Sequence, residues 1–105
     1  MENAKRERLE RAGWRVGSAQ EFLGLSDEEA AFIELKLSLT RTLKARRADQ
    51  GLTQAEVARR LGSSQSRVAK MEAGDPSVSL DLLVRGLLAT GATARDIAAA
   101  IASAA

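Results

Sequence analysis

The residues best suited to binding chemistry in this chain are polar and basic groups in its middle third. Residues 41–72 carry a local net charge of +5, against +2 for all 105 residues. A basic segment between acidic flanks is typical of a surface that binds a polyanion, although a solvated helical face would show the same excess. The basic residues are Arg41, Lys44, Arg46, Arg47, Arg59, Arg60, Arg67 and Lys70, and the acidic ones are Asp49, Glu56 and Glu72.

The composition argues against an enzyme. The sequence has no histidine, cysteine or tyrosine, so acid–base and nucleophilic catalysis would depend on carboxylates, lysines and hydroxyls. The clustered carboxylates of Asp27, Glu28 and Glu29 are explained by the start of a helix. We therefore predict no catalytic residues, no metal site and no cofactor. No apolar run is long enough to span a bilayer and no signal core follows Met1, which predicts a cytoplasmic protein.

The elements that must position the basic segment are predicted to be helices. A hydroxyl residue followed three positions later by an acid can satisfy free N–H groups at a helix start. Apolar residues at three- and four-residue steps then give the long helix a buried stripe containing Phe32, Leu35, Leu39 and Leu43. No stretch alternates as a strand would. The capping pairs are Ser18–Glu21, Ser26–Glu29, Thr53–Glu56 and Thr93–Asp96, and Ser64 and Ser79 are further predicted caps.

We predict an all-α fold, a five-helix domain with an N-terminal extension. Residues 1–25 are predicted to form an arm and a short helix. The five-helix domain is predicted to occupy residues 26–105, including the C-terminal helix. Within it, only Gly62 and Ser63 separate a helix that starts at Thr53 from one that Ser64 caps.

Two helices joined by so short a turn cross steeply, so a small residue is needed at the crossing, and Ala58 suits that position. Val57, Leu61, Val68 and Met71 would form their shared core. The second helix then presents short polar and cationic groups outward on one side, where they could reach base edges in a major groove. These predicted base-contacting residues are Gln65, Ser66, Ala69 and Lys70.

The stretch Leu52–Gly74 closely resembles the helix-turn-helix of the phage repressor and Cro (XRE) family. The family pattern Leu-Thr-Gln-x-Glu-Leu-Ala-x-x-Leu-Gly-x-Ser-x-Ser-x-Val-x-x-x-Glu-x-Gly is matched at nearly every position. Val57 replaces a leucine conservatively. Ala69 stands where a polar base-reading residue is sometimes found, which leaves a methyl contact with thymine. The resemblance covers about half of the chain and implies a fold over roughly residues 37–90.

The resemblance also implies roles for individual residues. Gln65 resembles the principal base reader of the family, and a glutamine can pair bidentately with adenine. Arg47 and Glu72 resemble a buried ion pair that ties the preceding helix to the recognition helix. Phosphate contacts are expected from Gln54, Ser64, Arg67 and Lys44, with the N-termini of the helices assisting.

A single recognition helix contacts few base pairs, so we expect a homodimer on double-stranded DNA. Ile97 and Ile101 on the last helix are the predicted dimer interface, although that strip could equally pack on its own domain. The layout also resembles HigA-like antitoxins, through Trp14-x-Val16 and Phe22-Leu23-x-Leu25. That likeness implies a toxin partner contacted by the arm 1–13 or the segment 13–25. The segment could instead simply cover the core.

Overall fold

The computed structural model describes residues 21–104, and all regular structure within that range is helical. Residues 21–23 are helical. Five helices follow: α1 (Asp27–Asp49), α2 (Gln54–Leu61), α3 (Gln65–Glu72), α4 (Leu80–Ala89) and α5 (Ala94–Ala102). None of the helices in this range is long and apolar enough to cross a membrane. The all-α, five-helix prediction is confirmed, whereas the predicted cap at Ser18 and the arm lie outside the described residues.

The described residues belong to two compact units, with the boundary between Glu34 and Leu35. In the first unit, α1 begins with the predicted capping box. The Glu29 N–H donates to Ser26 Oγ at 3.1 Å, and the Ser26 N–H donates to Glu29 Oε1 at 2.8 Å. Asp27 and Glu28 add further negative charge to the first turn, where the helix dipole favours it.

In the second unit, the other predicted caps are present. Thr53 and Glu56 form a reciprocal capping box at the start of α2, and Thr93 and Asp96 form one at the start of α5. Ser64 and Ser79 each accept a backbone N–H from three residues ahead. Three helix starts could therefore be located from the spacing of hydroxyl and acidic residues, and the two others from a serine cap.

The core of the second unit is formed by fully buried side chains from α1 to α4. Leu39 and Leu43 come from α1, as the predicted apolar stripe requires, but Phe32 in the first unit is 47% exposed, so the stripe was wrong there. Burial of each large aliphatic side chain contributes about 1.5–3 kcal/mol. The remaining fully buried apolar residues are Val57, Val68, Met71, Leu83 and Leu87.

Hydrogen bonds tie the ends of α4 and α5 to α1. Arg46 Nε donates to Thr90 Oγ1 at 3.1 Å, and Gln50 Nε2 donates to Thr90 O at 2.7 Å, where Thr90 is almost fully buried. Near the C-terminus, the buried Ser38 Oγ donates to Ala100 O at 2.5 Å. Buried polar groups need such partners, so these bonds fix α4 and α5 against the helix that precedes the motif.

Candidate nucleic-acid interface

The turn between α2 and α3 depends on a glycine in the left-handed conformation. Gly62 has φ 73° and ψ 35°, and the Ser63 N–H returns to Ala58 O at 2.8 Å, which closes the end of α2. A Cβ on Gly62 would meet no atom within 4 Å, so the requirement is for the backbone angle and not for space. The Ser64 cap then starts α3 immediately. The predicted two-residue separation is confirmed.

Helix α3 has one buried face and one exposed face. Val68 and Met71 are completely buried. Gln65, Ser66 and Lys70 are exposed, as is Arg67, whereas Ala69 is half-buried. The side chains predicted to contact bases therefore remain accessible apart from Ala69, whose methyl group is partly covered. Their contacts with DNA stay a prediction.

A chain of hydrogen bonds joins the two motif helices through their first residues. Gln65 Nε2, at the start of α3, donates to Gln54 Oε1 at 2.9 Å, at the start of α2. Gln54 Nε2 donates in turn to Glu72 Oε1 at 3.2 Å, at the end of α3. The sequence reasoning did not predict this link, although a glutamine at the first position of each motif helix was a visible signal. Gln54 thus holds the side chain of Gln65 in place.

The predicted ion pair between Arg47 and Glu72 is present in bidentate form. Arg47 Nε donates to Glu72 Oε2, and Arg47 Nη2 donates to Glu72 Oε1 at 2.9 Å. Arg47 Nη1 also donates to Leu52 O at 2.9 Å, so this one guanidinium links α1, α3 and the loop before α2. The Glu72 side chain is only 4% exposed. Its geometry supports the scaffold role inferred from the resemblance.

The protonation of this pair reflects competing effects. Burial is the largest influence on Glu72 and raises its pKa, but hydrogen bonds from Arg47 and Gln54, with the charges of Arg47 and Lys44, lower the pKa overall. The hydrogen bond to Glu72 raises the pKa of Arg47. Both groups are therefore charged near neutral pH, and their charges cancel inside the fold. The net positive charge of residues 41–72 therefore comes from the other charged side chains of that segment.

A cleft of about 370 Å³ lies beside α3 and brings hydroxyl groups next to two cations. Such a lining can bind anionic oxygens through charge and hydrogen bonds together. Ser77, from the loop after α3, is a functional candidate that the sequence reasoning missed. The Asp-Pro-Ser order at 75–77 was the available signal, because Asp75 Oδ1 accepts from Ser77 N at 2.8 Å and fixes the loop. The lining residues are Ser64, Ser66, Arg67, Lys70, Ser77 and Val78.

The residues predicted to contact phosphates differ in how free they are. Lys44 and Arg67 are exposed. Ser64 Oγ accepts the Arg67 N–H at 3.2 Å and lies 3.3 Å from Ser66 Oγ, so the two exposed hydroxyl groups form a pair at the start of α3. Gln54 uses one Nε2 hydrogen for Glu72 and retains the other. All four phosphate contacts remain predictions.

The two residues of the predicted dimer interface point to different environments. Ile97 is partly buried and packs against the core, whereas Ile101 is 42% exposed. Ala100 between them is buried, and its carbonyl also accepts from Ser103 Oγ at 2.8 Å. Helix α5 therefore packs on its own domain through Ile97 and Ala100, and Ile101, one turn beyond Ile97, is left largely exposed. A dimer seam there stays a prediction that Ile101 must chiefly support.

The helices α2 and α3, joined by the Gly62 turn and with a polar outer face on α3, define a helix-turn-helix protein. The helix-turn-helix family model matches residues 43–101, which is more than half of the chain. The chain belongs to this family, of the XRE type, and is a DNA-binding transcription regulator. Comparison with curated proteins and with solved structures finds no match. Within residues 21–104, no group of three carboxylates is placed to hold a metal ion.

Proposed function

We propose that this regulator is a homodimeric repressor that binds a palindromic operator with one copy of α3 in each half-site. The observation that carries the proposal is Gln65, which is exposed at the start of α3 and held by Gln54. A base-reading side chain that is already oriented loses less entropy on binding. A cytoplasmic location belongs to this proposal because it follows from the DNA partner.

The hydrogen bond from Gln65 to Gln54 is compatible with base reading. It occupies one Nε2 hydrogen and leaves the second hydrogen and the Oε1 atom of Gln65 available. Those two groups are what bidentate pairing with adenine N7 and N6 requires. Gln65 would therefore select adenine at one position of each half-site. Ser66, Lys70 and the partly covered Ala69 would contact the neighbouring bases.

Phosphate contacts would fix the register of α3 on the duplex. Lys44 precedes the motif, Ser64 lies at the start of α3 and Arg67 follows one turn later. Ser64 also marks a helix N-terminus, which attracts anionic oxygens. These contacts give affinity without sequence information, so discrimination between operators rests on the exposed face of α3.

A dimer is proposed because one α3 covers only a few base pairs. A twofold pair would read half-sites about 34–36 Å apart, which corresponds to one turn of the double helix. The exposed Ile101 on α5 is the proposed centre of that interface, with Ile97 supporting it from the core side. Self-pairing of this apolar side chain would remove it from water in the dimer.

The experiment is selection of duplexes from a random pool, followed by binding measurements on the Gln65→Ala variant. We expect the variant to lose about 1–3 kcal/mol on the selected duplex and to relax the preference at one base pair. Gln50→Ala is the matched control, since its amide binds Thr90 and no residue of α3. The proposal is wrong if wild-type protein selects no sequence, or if Gln65→Ala keeps the full preference.

A second candidate function is neutralisation of a toxin, with the operator bound for autoregulation. It is favoured by two large apolar side chains in the segment singled out for that role: Phe22 is 81% exposed and Leu23 is 63% exposed. Exposed apolar side chains at adjacent positions are suited to a protein partner. Co-expression with the product of the neighbouring reading frame tests this. A stoichiometric complex that Phe22→Ser and Leu23→Ser together abolish would support it, and no complex would contradict it.

A further inference from the structure

Gly86 lies inside α4 where nothing in the backbone requires a glycine. Its φ is not in the left-handed region, unlike those of Gly62 and Gly74, and a helix interior is less stable with glycine than with alanine. A Cβ built at Gly86 would lie 2.6 Å from Met71 Cε and 3.5 Å from Leu43 Cδ2. The glycine is therefore explained by space, and the atom that occupies this space belongs to α3.

The terminal methyl group of a methionine can often rotate away, so the surroundings of Met71 decide what an added Cβ would do. Met71 and Leu43 are both completely buried, and Gly86 itself is buried. Met71 Cε is therefore enclosed by other core atoms. A normal carbon–carbon separation is about 3.5–4 Å, so relief of the 2.6 Å contact requires a movement of about 1 Å.

Met71 lies on α3 between Lys70 and Glu72, so its movement acts on the helix that carries the base-reading face. Gln65 Nε2 is 2.9 Å from Gln54 Oε1. Hydrogen bonds of this kind are seldom longer than about 3.2 Å, so a displacement of Gln65 by about 0.3 Å is enough to weaken the link that orients it. A shift of α3 by a fraction of an ångström at Met71 is therefore comparable to the change in length that the Gln65–Gln54 hydrogen bond tolerates.

We propose that Gly86 is a positioning residue for DNA recognition, which sets the depth of α3 by accommodating the end of Met71. Gly86 touches no DNA in this scheme and acts through the α4–α3 contact. The proposal rests on the proposed function of α3. Its first half, that Gly86 sets the position of α3 through Met71, concerns only the protein, and its second half concerns the effect on DNA recognition. The two halves can therefore be tested separately.

The experiment compares wild type with Gly86→Ala, Met71→Leu and the double variant. Leucine has nearly the volume of methionine but ends one atom earlier, so it vacates the position of Cε. We expect Gly86→Ala to lower the Tm by about 4–8 °C and to shift the backbone amide resonances of residues 65–72. Its preference for a selected duplex over a scrambled one should fall on the order of tenfold, as for one lost base contact.

The double variant should recover the Tm, the amide resonances and the duplex preference towards those of Met71→Leu alone. An unchanged or raised Tm in Gly86→Ala, with resonances of 65–72 in place, would overturn the proposal, because Met71 Cε would then have found other space. The proposal would also be overturned if adding Met71→Leu did not rescue Gly86→Ala, whether the Gly86→Ala protein is folded or unfolded. If wild type prefers no duplex, the proposed function fails, while the resonances still decide whether Gly86 positions α3.

Discussion

Replacement of Glu72 by glutamine, which has the same shape but no charge, should destabilise the domain strongly. The Glu72 side chain is 4% exposed and that of Arg47 is 19% exposed, and the two form a bidentate pair. Glu72→Gln leaves the guanidinium of Arg47 largely enclosed without a counter-charge. Removal of one partner from a buried pair costs about 3–5 kcal/mol, chiefly through the unpaired charge that remains.

This cost is large against the whole stability of a small domain, which is about 5–15 kcal/mol. Urea denaturation followed by circular dichroism is therefore sensitive enough to measure it. Asp49→Asn is the matched control. It makes the same change from a carboxylate to an amide, but at an exposed position of α1. We expect that control to change the free energy of unfolding by no more than about 0.5 kcal/mol.

The same pair predicts a pH dependence. The pKa of Glu72 in the folded state is lowered from its ordinary value of 4.5, so its stabilising contribution is present above pH 4.5 and is lost as the pH falls through the folded-state pKa. Glu72→Gln lacks this contribution at every pH. The difference in unfolding free energy between wild type and variant should therefore shrink below pH 4.5. Carboxylates elsewhere titrate in both proteins and cancel from the difference.

A double variant tests the physical reason for the loss. Arg47→Met added to Glu72→Gln removes the unpaired charge and should recover part of the stability, because an apolar replacement of a buried pair is often tolerated. The reasoning is refuted if Glu72→Gln alone costs less than the Asp49→Asn control. It is also refuted if Arg47→Met destabilises the Glu72→Gln protein further.

Two further predictions concern the proposed DNA complex. Arg67→Gln should reduce the slope of log K against log salt by about 0.9 if Arg67 contacts a phosphate, whereas Arg95→Gln on the exposed side of α5 should leave the slope unchanged. Equal slopes for wild type and both variants would remove Arg67 from the phosphate contacts. Ile101→Lys should give monomers in sedimentation equilibrium and weaken operator binding. An intact dimer, together with monomers of Leu88→Lys, would move the seam to the exposed Leu88 on α4.

The helix boundaries could be predicted because they depend on local chemistry. A Thr53 hydroxyl and a Glu56 carboxylate satisfy N–H groups within one turn, and Gly62 supplies a left-handed angle that other residues resist. The spacing of Arg47 and Glu72 relative to the motif identified a long-range ion pair through its resemblance to the family. The same spacing placed the polar face of α3 outward.

The contacts of individual atoms could not be predicted in the same way. The link from Gln65 through Gln54 to Glu72 depends on the crossing of two helices, and no sequence periodicity gives that angle. The role of Gly86 could not be predicted for a related reason, because the atom that limits the space beside it belongs to a methionine fifteen positions away. Sequence spacing shows which residues are neighbours on one helix. These contacts depend instead on the distance and orientation at which two helices pack against each other.

Helix α5 shows why the position of an apolar strip does not decide its use. Ile97 and Ile101 are four residues apart and would share one face in a regular helix, yet one packs on the core and the other is 42% exposed. Ala100 lies between them in sequence and is buried, with its carbonyl bonded to Ser38. Removal of residues 93–105 would therefore open the core and leave Ser38 without its partner, so loss of DNA binding by such a truncation would report unfolding. The single change Ile101→Lys leaves those inner contacts in place, and monomers formed by that variant can be attributed to a lost interface.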